Sequence, residues 1–438
     1  MVAVAALLLI GCSGEGHPAP AEDPPPASVC PAPSELAPTF YAGLESDRFA
    51  GLRVVVQDAL AACTYGGEIV ECSDPRADTS PAGALLAGVF EIVGTYAEDP
   101  PEWDGAAGPG DPGYCAAAGS VPPRPNRLCD LRRTLDLLIA ERTPEGRIRL
   151  VAAVDRLGPL YASLLRYADG SHPAFPGETH YEVLPDLRRV VSRCADDALI
   201  ELLHGLLVWL APPRGEEALD AVVRLVQNPD AQRFLTELDV QNDVGRDGFI
   251  ALVRLAGDLV TSDDFTPDDL AGLMEDLVYP FVRETYPDHD LEGDLRRVMD
   301  VVYDLLDPAR EPPVLTPLKD VLACALDADP DRRLTGAVYD LLFVARIVGL
   351  DELLATLREV LGLDPEGVAL RTADTFLLEA SAHRDLLDAL REVLLVLLQE
   401  ENARRLNPVA IDILESELPA EVIAILDQLL SGCGGAAP

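Results

Sequence analysis

Cysteine is the first residue type in this chain that could do chemistry. There are nine: Cys12, Cys30, Cys63, Cys72, Cys115, Cys129, Cys194, Cys324 and Cys433. No CxxC pair occurs, and the six histidines are scattered, so a zinc-type ligand set is not indicated. If Cys12 is set apart, eight remain, an even number that suits disulfides in an oxidising compartment. Cys63 and Cys72 flank Tyr65-Gly66-Gly67, a natural chain reversal, and Cys115 and Cys129 bracket a proline-rich stretch. Those two pairings are expected from proximity. Cys194 and Cys324 each fall late in an amphipathic pattern, and Cys30 and Cys433 lie near the two ends; the pairing of these four is left open, with a free, buried thiol as the alternative for Cys194 and Cys324.

A second group carries oxygen ligands. Asp288-His289-Asp290-Leu291-Glu292-Gly293-Asp294-Leu295 resembles the start of an EF-hand loop. Asp288, Asp290 and Glu292 stand at positions 1, 3 and 5, and glycine at 6. Calcium also needs a bidentate carboxylate at position 12, where this chain has Met299. The same acidic residues would make a good amino terminus for the helix that follows, and that cap is the expected role. Two further acidic turns, 239–248 and 327–331, lack the glycine or the twelfth ligand. His172, Glu178, His180 and Glu182 share one loop, but their spacing fits no standard metal site. His204 lies in an apolar helix and is expected to be a satisfied core residue. Lys319 is the only lysine, so Schiff-base chemistry has one candidate, set in an ordinary helix pattern. No GxSxG, HExxH or phosphate-loop signature occurs.

The amino terminus explains why Cys12 stands apart. Val2 to Ile10 is one apolar run, followed by Gly11 and Cys12. Nine residues are too few for a permanent span but suit the apolar core of a signal peptide. Leu9-Ile10-Gly11-Cys12 resembles the lipobox of bacterial lipoprotein precursors. That resemblance implies cleavage before Cys12, acylation of its thiol with palmitate-type chains, and anchorage in the cell envelope. No Lys or Arg precedes the apolar run, which departs from the pattern. By the same resemblance, Ser13 favours the outer membrane. Each buried CH₂ would add about 0.8 kcal/mol to the anchor. Residues 12–40 then form a linker. Eight prolines between Ser13 and Pro38 make it semi-rigid, with a reach of ~80 Å at ~3.1 Å per residue.

Beyond residue 41 the chain reads as helices. Leu353, Leu354, Leu357, Val360 and Leu361 mark one helix face, with Gly362 as a stop. Leu386 to Leu398 and Leu295 to Leu306 repeat the pattern, and Ala198 to Leu210 is apolar on most sides. No sustained strand alternation is seen. A capping residue followed by proline recurs at Thr143-Pro144, Asn228-Pro229, Thr266-Pro267, Thr316-Pro317, Asp364-Pro365 and Asn407-Pro408, each read as a helix start. Several intervals are about 40 residues, the length of a helix pair in α-solenoids. In period and patterning the body resembles HEAT or armadillo repeats. The fold expected is all-α, an irregular solenoid or a multi-helix array of antiparallel pairs, with a globular bundle as the alternative. A cysteine-containing helical region with a long loop (41–168) would precede the main array (169–438).

Hydrophobic residues make up 48% of the chain, and the formal charge is −41. The first figure allows a large core. The second repels phosphate backbones and so excludes nucleic-acid binding. A field of that sign would draw cations or a basic protein. The expected function is an interaction or scaffold module held in the envelope by its lipid. An envelope hydrolase using carboxylates or a metal, and a calcium-dependent structural or adhesion module, are the alternatives.

Overall fold

The computed structural model describes residues 62–65 and 68–71, single positions at 89, 92 and 134, and, with short gaps, residues 142–408. Cys12, Cys30, Cys72, Cys115, Cys129 and Cys433 lie outside the described residues. So do the apolar leader, the proline-rich linker, and the Glu178 and His180 positions of the histidine loop.

Strands β1 (Ala62–Tyr65) and β2 (Glu68–Glu71) pair antiparallel, with Cys63 opposite Val70. The pairing of Tyr65 with Glu68 agrees with the chain reversal expected there, although four-residue strands are too short to show alternation. The other long elements among the described residues are helices: α1 (Arg149–Asp169), α2 (Leu184–Cys194), α3 (Asp197–Leu210), α4 (Arg214–Gln227), α5 (Pro229–Glu237) and α6 (Asp243–Val260). They continue with α7 (Pro267–Leu273), a π-helical turn (Met274–Val278) and α8 (Tyr279–Thr285). Then come α9 (Leu291–Leu306), α10 (Leu315–Ala328), α11 (Leu350–Gly362), α12 (Val368–Ala382) and α13 (Arg384–Leu397). The protein is an all-α multi-helix array. The Leu and Val repeats predicted for α9, α11 and α13 coincide with these helices.

The chain divides into two compact units. One is residues 163–374 with 398–400; the other is 1–162 with 375–397 and 401–438. Within the first, α4 packs against both α9 and α11, and α10 packs against α2, α3 and α6. These partners are far apart in sequence. A stack of repeats joins each pair mainly to its neighbours; this array also joins helices that are distant in sequence. Gly257 permits one close approach: a Cβ there would lie 2.5 Å from Leu326 Cδ1.

The core of this unit is built as a row. Leu270, Met274, Val278 and Val282 point inward along α7, the π turn and α8. They meet Tyr279, Tyr286, Leu291, Leu295, Met299 and Val302 in adjoining apolar clusters. Burying such side chains stabilises the fold by roughly 1.5–3 kcal/mol each. The Trp209 indole N–H donates to Asp304 Oδ2 at 2.9 Å, tying α3 to α9.

The start signals fared unevenly. Asn228-Pro229 and Thr266-Pro267 do open α5 and α7, and the Asp269 carboxylate accepts the Thr266 N–H at 2.8 Å. Thr316-Pro317 does not begin a helix: α10 starts at Leu315, and Pro317 is buried in its first turn, where no amide N–H is needed. Thr143-Pro144 heads a turn rather than a helix. The Gly146 N–H returns to Thr143 O, Gly146 takes φ +89°, and α1 begins only at Arg149.

The two cysteines whose pairing the sequence left open are bonded to each other. Cys194 at the end of α2 and Cys324 in α10 form a disulfide, with Cα atoms 5.7 Å apart and a sequence separation of 130. The reason is the packing of α2 on α10, which no local pattern announces. Arg189 Nη1 reinforces the junction by donating to Ala328 O at 2.6 Å.

Candidate functional site

The acidic loop before α9 holds the carboxylates that the sequence singled out, Asp288, Asp290 and Glu292. Asp290 takes a left-handed conformation, φ 51°, and its carboxylate accepts the Gly293 N–H at 3.2 Å. A Cβ at position 293 would collide with that carboxylate. The glycine is therefore required by the cap, without any cation. From the α4–α5 corner, Asn228 Nδ2 donates to His289 O at 2.7 Å and to Asp294 Oδ2 at 2.8 Å. Asp230, 4% exposed in its side chain, accepts the His289 N–H at 2.9 Å. The Asn228 Oδ1 closes the network by accepting the Asp230 N–H. A calcium ion needs these oxygens as ligands. Here the Asp230, Asp290 and Asp294 carboxylates accept hydrogen bonds from N–H donors of the fold itself.

Glu292 is committed as well. Arg283 donates from Nε and Nη2 to its two oxygens at 2.6 Å each, a bidentate pair joining α8 to α9. Arg296 reaches the same carboxylate at 3.1 Å and Glu275 at 2.5 Å. Hydrogen bonds from Arg283 and then Arg296 hold the Glu292 carboxyl down at about 2. Arg296 also holds Glu275 below the usual carboxylate range and pushes no proton of its own towards release. The Arg296 guanidinium lies over the Tyr279 ring, 3.9 Å from its centroid. Burial pushes the Tyr279 hydroxyl up to about 12, and burial raises Tyr303 in the same way. Asp288, the first of the three carboxylates proposed from sequence, is exposed. Asp294 pairs with Arg297. The cluster locks the start of α9 to α5 and α8.

The other candidates resolve similarly. Asp329, in the alternating acidic turn, is buried and accepts the Leu334 and Thr335 N–H groups, while Asp331 pairs with Arg333 at 3.4 Å. His204 Nδ1 lies 2.5 Å from Asp374 Oδ1, so the histidine of the apolar helix is satisfied, although partly exposed. Lys319 Nζ donates to Ser262 O at 2.9 Å and Phe265 O at 3.0 Å, fastening α10 to the loop after α6.

His172 is buried, with its Nε2 2.9 Å from Ser163 Oγ. Burial and, next, the charge of Arg166 lower its pKa, which favours the neutral imidazole. A serine beside a neutral histidine has the elements of a nucleophile and its base. Ser163 sits inside α1, however, where the backbone N–H groups serve the helix ladder and cannot face an oxyanion. Both side chains are also closed to solvent.

Among the described residues, no group of three or more His, Cys, Asp or Glu is placed to hold a metal ion. No described helix is long and apolar enough to cross a membrane. Asn228 and Asp230 were missed as partners of the acidic loop. Their only sequence signal was the Asn228-Pro229 helix start, and the loop they hold lies about 60 residues on. No known protein family matches the chain, and no curated protein or solved structure is detectably similar to it.

Proposed function

We propose that this chain is an exported lipoprotein of the bacterial cell envelope, anchored through Cys12, whose helical body is an interaction module for a basic partner. The observation that carries the reading is the Cys194–Cys324 disulfide, a bond that persists where proteins fold in an oxidising compartment. It agrees with the leader and lipobox-like Leu9 to Cys12 and with a linker that would hold the body away from the bilayer. Ser13 after the cysteine favours the outer membrane in this reading.

The binding role rests on how the body uses its polar groups. Asn228, Asp230, Glu292, Asp329 and Lys319 are spent on joining helices. The formal charge of the whole chain, −41, supplies a field that attracts basic surfaces. The test is capture from envelope extract by the immobilised protein over a series of salt concentrations. A saturable basic partner, released as salt rises, supports the reading. Capture of nothing saturable at any salt concentration contradicts it.

A further inference from the structure

We propose that the outer face of α7, the π turn and α8 docks a cationic amphipathic helix. This deepens the interaction-module reading and rests on it. The segment 267–285 carries two apolar rows rather than one. Leu270, Met274, Val278 and Val282 face the core. Leu273, Leu277 and Phe281 form a second row on the other side, 41%, 63% and 54% exposed. An amphipathic helix needs only one such row to hold itself to its core. Single exposed apolar residues are ordinary, whereas three in register along one helix form a patch.

The π turn keeps that patch straight. Residues four apart on an α-helix drift by about 40° per step. The wider turn at Met274–Val278 takes up part of this drift, so the row stays on one face over ~12 Å.

Charge selects the occupant. The segment holds Asp268, Asp269, Glu275, Asp276 and Glu284 against a single base, Arg283. Arg283 is already committed to Glu292, and Glu275 to Arg296. Asp276 and Glu284 flank the row and are exposed. A second copy of the chain would bring an identical acidic rim against this one. An anionic bilayer would be repelled in the same way. A helix with leucine-type residues on one face and lysines or arginines beside them complements both the row and its rim.

The experiment titrates the full chain with a fluorescent leucine–lysine amphipathic peptide of about 14 residues, long enough to cover the row, and reads anisotropy. Saturable binding is expected, with a scrambled peptide of the same composition binding about tenfold more weakly. Leu277→Ser with Phe281→Ser should weaken binding about tenfold. Leu277→Arg, which puts a like charge on the row, should abolish it, with unchanged circular dichroism because the site is exposed. Asp276→Asn with Glu284→Gln should weaken binding and flatten its salt dependence.

Absence of saturable binding overturns the proposal. So does binding that none of these substitutions affects; in that case the acidic body still binds basic ligands and only this surface is wrong. Self-association in sedimentation that Phe281→Ser abolishes would assign the row to a second copy. Attachment of the chain to phosphatidylglycerol vesicles through the row would assign it to a bilayer. Either result overturns the proposal.

Discussion

Replacing Cys194 and Cys324 together by alanine tests the least local feature of the fold. The disulfide closes a loop of 130 residues. In the chain-entropy description, a loop of that size removes about 17 cal/mol/K from the unfolded chain, or about 5 kcal/mol at 25 °C. The bond joins the end of α2 to α10, so the effect should fall on the unit 163–374. With an m-value of about 3 kcal/mol per M in urea, the double variant should unfold about 1.7 M earlier than the oxidised protein. The assay is urea unfolding followed by far-ultraviolet circular dichroism, on the wild type with and without reductant and on the variant. Reduced wild type and variant should share one midpoint. Peptide mapping without reduction should recover the 194–324 cross-link. Equal midpoints in all three samples, with both thiols free to alkylation after unfolding, would refute the reasoning.

Other consequences can be checked in the same material. Glu292 is held at about 2, below its unfolded value near 4.5, so its stabilisation is complete above about pH 4.5 and is lost as pH falls towards 2. Glu292→Gln should flatten that acidic limb in a series of melting temperatures against pH. His172 has a lowered pKa, so the unfolded chain takes up the proton first. Stability should therefore fall as pH drops through 6.5, and in NMR the His172 ring should fail to titrate at the ordinary histidine value. Lys319→Met removes two charged hydrogen bonds to backbone carbonyls and should cost about 2 kcal/mol in urea unfolding. Gly367→Ala should destabilise the protein by about 1 kcal/mol or more, because its φ of +65° is unfavourable for alanine and the new Cβ would lie 2.8 Å from Pro212 Cδ.

Sequence reading reached the parts of this fold that are written locally. The Leu and Val spacing of α9, α11 and α13 repeats every three to four residues, and a helix face reports itself in that way. The cap at Asp290 was likewise legible, because a capping carboxylate and its target amide lie three residues apart. What could not be read depends on tertiary packing. Cys194 and Cys324 meet only because α2 lies on α10, and nothing within either helix distinguishes a bonded from a free thiol. Asn228 and Asp230 hold the 289–294 loop across a similar gap. Thr316-Pro317 misled for a different reason. Proline is tolerated throughout the first turn of a helix, so the dipeptide marks that turn without fixing its first residue. The second apolar row at 273, 277 and 281 was not read from the sequence, where apolar residues four apart look like any helix face. Only the packed inner row at 270, 274, 278 and 282 shows that it is surplus to the core.

Anchorage through Cys12 is tested most directly by producing the chain in a bacterium that processes lipoproteins, partitioning it between detergent and water, and measuring its intact mass. The account predicts recovery in the detergent phase, a mass beginning at residue 12 with added acyl chains, and transfer of Cys12→Ala to the aqueous phase. Recovery of the unaltered chain in water, with the Cys12 thiol free, would contradict it.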